Sequence, residues 1–326
     1  MHWVTHGLTG FLMMAMVWGC GPAPGDRLAR CGDEIVAAGQ FFHTGTPVVL
    51  WLDSQGYDAY RCRRHFEPSE FMPTNPAAPG NPNRYGTRHG LCEGLQEQIE
   101  GEGWTLENLQ EVVDQFVIHY DVCGTSRTCF KVLHDQRGLS VQFMLDVDGT
   151  IYQTLDLKER AWHAGTANDR SVGVEIANMG AHPSIKAVAE WYELDETGWP
   201  YLTFPSRIVE TGIRTPDFVG RSARKEPIKG TINGRELIQY DFTNEQYHAL
   251  IKLTAALVSV FPKLELDAPR DADGNVRMDV FSADELADYS GLLGHYHVTK
   301  GKVDPGPAFN WDRVIRGARR ELGMSL

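Results

Sequence analysis

Two short apolar runs constrain this chain most: Phe116-Val117-Ile118-His119-Tyr120 and Val172-Gly173-Val174-Glu175-Ile176. Each reads as a buried strand, and the first carries a His and the second a Glu where apolar packing would prefer neither. Around them lie helix signals. Thr105 can cap a short helix bearing Leu106, Leu109, Val112 and Val113. Thr243 and Gln246 form a capping box for a helix to Phe261, with Tyr247, Leu250, Ile251, Leu257 and Val258 on its apolar face. A last helix runs from about Asn310, with Val314, Ile315, Ala318 and Leu322 inward. Val141–Val147 and Thr150–Leu155 flank Asp148-Gly149, a hairpin signal. Strands mixed among helices imply one α/β domain over residues 106–326, with a central mixed β-sheet flanked by helices.

The front of the chain is of another kind. From Gly7 to Gly19 no residue is charged, the length of a signal-peptide core and too short to span a membrane. Gly19-Cys20 followed by Gly21-Pro22-Ala23-Pro24 resembles a bacterial lipoprotein signal, in which the Cys becomes the lipidated first residue. We therefore expect a signal peptide over 1–19, export to the cell envelope, and a membrane anchor through lipidated Cys20 facing the periplasm.

Residues 20–105 form an N-terminal extension of unknown role. In it, Pro47–Asp53 is strand-like, and Tyr57–Tyr60 is expected to return as a hairpin. The Pro-rich stretch Pro68–Arg88 reads as a loop. Residues 181–240 look like an insertion rich in turns and aromatics. Apart from Cys20 there are five Cys, so at least one thiol is free or paired between chains. Cys123 and Cys129 enclose a short polar loop, and an exported chain can keep a disulfide there. With 31 basic against 43 acidic residues, no nucleic-acid partner is expected.

The chemistry gathers on a few residues. His119 ends one buried run. His295 and His297 follow Leu292-Leu293-Gly294, and Lys302 and Asp304 come next. Zinc hydrolases use three protein ligands and leave a fourth place for water, whose pKa the metal lowers to about 7.

Four segments, in order, resemble the zinc-dependent N-acetylmuramoyl-L-alanine amidases, a family shared with peptidoglycan recognition proteins and certain phage lysozymes. They are Val117–Tyr120, Asp148–Gln153, Arg160–Gly165 through Ser171–Glu175, and Gly294-His295 through Asp304–Trp311. Recognition proteins also carry a Cys pair spaced like Cys123 and Cys129.

The resemblance implies an enzyme that cleaves the amide between N-acetylmuramic acid and the L-alanine of the stem peptide, by zinc-activated water. Its partners would be peptidoglycan or muropeptide fragments. The alternative is a peptidoglycan-binding module without catalysis. By position, His119, His295 and Asp304 would bind Zn2+. Glu175 matches the catalytic carboxylate, and Lys302 the group that stabilises an oxyanion. Tyr152 matches a Tyr that polarises the carbonyl or orients water. His163 and Trp162 would touch substrate in the groove. His297 competes with His295 if both lie on one strand, where i and i+2 share a face. Gln142 stands where many members have His.

Overall fold

The computed structural model describes residues 29–71 and 85–325. The expected signal segment 1–19 and Cys20 lie outside the described residues. Among the described residues, no helix is long and apolar enough to cross a membrane.

Within the compact unit Gly32–Leu326, six strands form the central mixed sheet. They are β1 (Val48–Leu50), β2 (Gln115–Tyr120), β3 (Phe143–Leu145), β4 (Ile151–Gln153), β5 (Ser171–Ile176) and β6 (Gly291–Gly294). Their spatial order is β6-β2-β5-β3-β4-β1. The first four are mutually parallel. β4 turns back antiparallel to β3 through Asp148-Gly149, as the sequence predicts, and β1 runs parallel to β4.

Side chains alternate along a strand, so the sheet has two faces. One carries Phe116, Ile118, Phe143, Leu145, Val172, Val174 and Leu292. Helix α1 (Asn244–Val260) and helix α2 (Trp311–Glu321) cover it with Leu250, Leu253, Leu257, Val314, Ile315 and Ala318. The Thr243–Gln246 capping box starts α1, and the Asn310 side chain caps α2. Each fully buried large side chain contributes about 1.5–3 kcal/mol, which makes this layer the main source of stability.

The opposite face carries Val117, His119, Gly173, Glu175, Met144, Tyr152 and Val49 by register. It has two apolar patches. Val117, Leu293, Ala164 and Ala167 make one. Val49, Tyr57, Phe66, Phe130, Met144 and Tyr152 belong to the other. The strand order leaves His119 and Glu175 between them.

Two expectations for the front of the chain fail. Tyr57–Tyr60 does not return as a hairpin. Val48–Leu50 instead becomes β1, and Tyr57 stacks on Tyr152 and Phe130 with ring centroids 4.5 and 5.1 Å away. Strand pairing needs a remote backbone partner, which a local turn signal does not specify. Nor is the end of the Pro-rich stretch a loose loop. Tyr85–Gly86 pairs with Arg160–Ala161. Arg88 is buried, and its guanidinium donates to the carbonyls of Leu157, Glu159, Asn168, Asp169 and Ser171. A buried cation is tolerable only with such a cage.

The segment 181–240 is a structured insertion. It holds two hairpins, Tyr192–Leu194 with Pro200–Leu202 and Ile228–Ile232 with Arg235–Gln239. Val188, Trp191 and Leu202 bury themselves against Met179 and Val147.

Candidate metal centre

The register of three parallel strands builds the site. His119 on β2 lies directly opposite Glu175 on β5. Ile118 pairs with Gly294, the last residue of β6, so His295 emerges beside His119. Asp304 arrives on the loop beyond, where the Tyr296 N–H donates to its carbonyl. This is the carboxyl end of the parallel strands, where open α/β sheets place their ligands.

His119 Nδ1 stands 3.0 Å from His295 Nδ1 and 2.9 Å from Asp304 Oδ2, and His295 Nδ1 is 3.0 Å from the same oxygen. All three are buried, with exposures of 1, 7 and 8 %. On its far side, His119 Nε2 lies 3.0 Å from His163 Nδ1. With that nitrogen donating to His163, His119 turns a lone pair toward another imidazole nitrogen and a carboxylate. Electron-rich atoms converge in this way around a shared cation, and separations near 3 Å suit bonds of about 2.0–2.2 Å. The donor set of two His and one Asp therefore fits zinc.

Electrostatics agree with that geometry. Burial, then the neighbouring His295, lowers His119 to about 4, so it stays neutral and free to coordinate. Burial pushes Asp304 up, but the two imidazoles beside its Oδ2 outweigh this and bring it below the ordinary carboxylate range.

Glu175 does not join the ligand cluster. Its Oε2 is buried without a hydrogen-bond partner. Burial, then the charge of Asp304, raises its pKa well above the ordinary carboxylate range. A buried carboxyl oxygen left without a partner is uncommon in folded proteins. Lys302 is exposed on the loop before Asp304, and its charge reaches both His119 and Glu175.

His297 is not in competition. The strand ends at Gly294, and His295–Val298 is a short helical turn, so positions i and i+2 diverge. His297 Nδ1 accepts from the Gly294 N–H at 2.9 Å, and its Nε2 meets the Arg277 carbonyl at 2.8 Å. Both nitrogens are occupied.

His163 stands behind His119, with Ser171 Oγ at 3.4 Å from its other nitrogen. Its ring fills the space over Gly173, where a Cβ would come within 2.6 Å of it. Trp162 is half-buried with the Arg160 guanidinium over its ring at 4.6 Å. Tyr152 shares the face but stands two strands from Glu175, roughly 10 Å at ordinary strand spacing. It is 2 % exposed and its hydroxyl donates to the Gly212 carbonyl at 3.3 Å. Gln142 Oε1 accepts from Gly173 N and its amide donates to the Glu159 carbonyl, a structural tie. Cys123 and Cys129, expected as a disulfide, are neighbouring free thiols.

Sequence reading missed Asn178, Asn233 and Gln239. Gln239 is fully buried and donates to Asn178 Oδ1 and to the Pro305 carbonyl, next to Asp304. Asn233 had a visible signal, since Asn233-Gly234 between two alternating runs is a hairpin turn.

No curated protein matches the chain. Among solved structures it is similar to a selenomethionine derivative of AmpD. The identity is 16 %, covering 77 % of this chain and 98 % of that one, with a TM-score of 0.33. It is also similar to the N-acetylmuramyl-L-alanine amidase AmiD from E. coli, solved with anhydro-N-acetylmuramic acid-L-Ala-D-gamma-Glu-L-Lys. There the identity is 17 %, covering 66 % of this chain and 58 % of that one, with a TM-score of 0.37. A third is the endolysin LysCS from Clostridium intestinale, at 14 % identity, 67 % and 88 % coverage and a TM-score of 0.32. The family model Amidase_2, N-acetylmuramoyl-L-alanine amidase, matches residues 109–307. That span opens just before β2 and closes just after Asp304, so it takes in every member of the His119–His295–Asp304 cluster and Glu175. The chain belongs to the N-acetylmuramoyl-L-alanine amidase family.

Proposed function

We propose that this chain hydrolyses the amide joining the lactyl group of N-acetylmuramic acid to the L-alanine of the stem peptide. The observation that carries the reading is the convergence of His119, His295 and Asp304 beside a half-buried Glu175 whose Oε2 has no hydrogen-bond partner. In it, His119, His295 and Asp304 hold zinc, which when bound lowers the pKa of water to about 7 and polarises the carbonyl. His163 keeps His119 in the tautomer that leaves Nδ1 for the metal, a positioning role in place of the expected substrate contact. Glu175, with its raised pKa, takes the proton from the attacking water and passes it to the leaving amine. Lys302 sets a positive charge near the developing oxyanion. Trp162 is the candidate groove wall. Tyr152, with its hydroxyl committed to Gly212, serves packing in this reading.

Peptidoglycan or muropeptide fragments are the proposed partners. Export as a lipoprotein anchored through Cys20, and a Cys123–Cys129 disulfide in the exported protein, belong to the same proposal. Gly19-Cys20 supports the first, and the adjacency of the two thiols supports the second.

The test incubates purified protein with defined muropeptides, with and without a chelator. Release of free stem peptide that stops with chelation and returns with zinc supports the reading. Binding without release would favour a recognition module.

A further inference from the structure

We infer that the insertion hairpin Ile228–Gln239 is a clamp that sets zinc affinity, with Asn233 as its positioning residue. The inference rests on the metal-centre reading above. It starts from a contrast. His119 and His295 leave the ends of sheet strands, whereas Asp304 and Lys302 sit on a loop that no sheet strand carries. Something else must hold that loop still. Ligand-supporting contacts of this kind commonly change metal affinity by about 10–100-fold when removed.

The hairpin supplies them. At its tip, Asn233 adopts φ +50°, a conformation Asn tolerates well, followed by Gly234 at +74°. The Asn233 amide donates to the Tyr296 carbonyl at 3.2 Å and to the Lys302 carbonyl at 3.1 Å, bridging the two ends of the loop between His295 and Asp304. Its Oδ1 accepts from Val280 N at 2.8 Å and its own N–H donates to the Met278 carbonyl, so the tip is itself fixed. At the base, Gln239 donates to the Pro305 carbonyl and accepts from Ala308 N at 3.1 Å each. Gly306 and Gly230 allow this closeness, since a Cβ on Gly306 would strike Gln239 and one on Gly230 would meet Pro307 at 2.7 Å. The loop is thus gripped before and after Asp304 by one element.

The experiment measures zinc dissociation constants by competition with a chromogenic chelator, together with melting temperatures of zinc-free protein. The variants are Asn233→Gly, which keeps the positive φ and removes the amide, and Asn233→Asp, which keeps the acceptor and removes both donors. Both are expected to bind zinc at least about tenfold more weakly, with the zinc-free melting temperature little changed. Unchanged zinc affinity in a folded variant overturns the inference. So does a fall in zinc-free melting temperature with affinity intact, because that is a purely structural role. Wild-type protein that takes up no zinc would instead refute the metal centre itself.

Discussion

The two faces of the central sheet are built on opposite rules. Under α1 and α2, the contacts are apolar, and any one residue matters through the area it buries. On the other face, the same strands present His119 and Glu175, and Asp121 and Asp146 follow β2 and β3. His119 and Asp146 are buried and Glu175 and Asp121 half-buried, and Glu175, Asp121 and Asp146 each keep a buried oxygen without a partner. The first face stores the stability that the second one spends. A buried carboxyl oxygen without a partner costs stability, and Glu175 keeps one between two apolar patches.

Substitutions on the two faces should therefore fail differently. The largest effect is expected from His119→Ala, which should abolish zinc binding and activity together. Elemental analysis showing full zinc in that variant would remove His119 from the centre. Next is Leu253→Ala on the helical face, fully buried, which should cost about 2–5 kcal/mol of stability. Denaturant unfolding measures it, and the turnover of the folded fraction should match wild type. A similar stability with lost turnover would break the division between the faces.

Glu175→Gln should do the reverse, lowering turnover by about 100-fold or more with normal zinc content and no loss of stability. Rate and zinc content measured in one preparation decide it. Near-normal turnover at full zinc would exclude Glu175 from proton transfer.

The smallest effect concerns pH. Burial pushes Asp146 up to about 8, so the folded state holds a proton that the unfolded chain releases near the ordinary carboxylate value. Its contribution is therefore fully present below about pH 4 and is lost progressively as pH rises from there to about 8. Asp146→Asn keeps the acceptor for Val147 N and removes the charge. Its melting temperature should exceed wild type above pH 8, with the difference shrinking as pH falls and vanishing near pH 4. A variant less stable than wild type at pH 9 would show that the carboxylate is favoured there, and that polar groups on this face are compensated after all.

Much of the helical face was legible in the sequence because its signals are local. Thr243 with Gln246, and the apolar spacing along α1, depend only on neighbours in the chain, as does the Asp148-Gly149 turn. His119, Glu175, His295 and Asp304 were legible for a different reason. The order of four short segments resembles a known family, though no periodicity in the chain says that these residues meet. The position of β1, the cage around Arg88 and the dual use of the His297 nitrogens were not legible, because each depends on backbone atoms contributed from far along the chain.

The sequence by itself determined the class of fold, the helix ends and the set of residues able to do chemistry, since propensity, capping and side-chain type are local properties. Only the tertiary structure decided which histidine faces Asp304, that Tyr152 turns its hydroxyl to Gly212, and that an insertion hairpin grips the loop bearing the third ligand. Those outcomes follow from strand register and from hydrogen bonds to carbonyl groups, which every residue carries alike and no sequence pattern distinguishes.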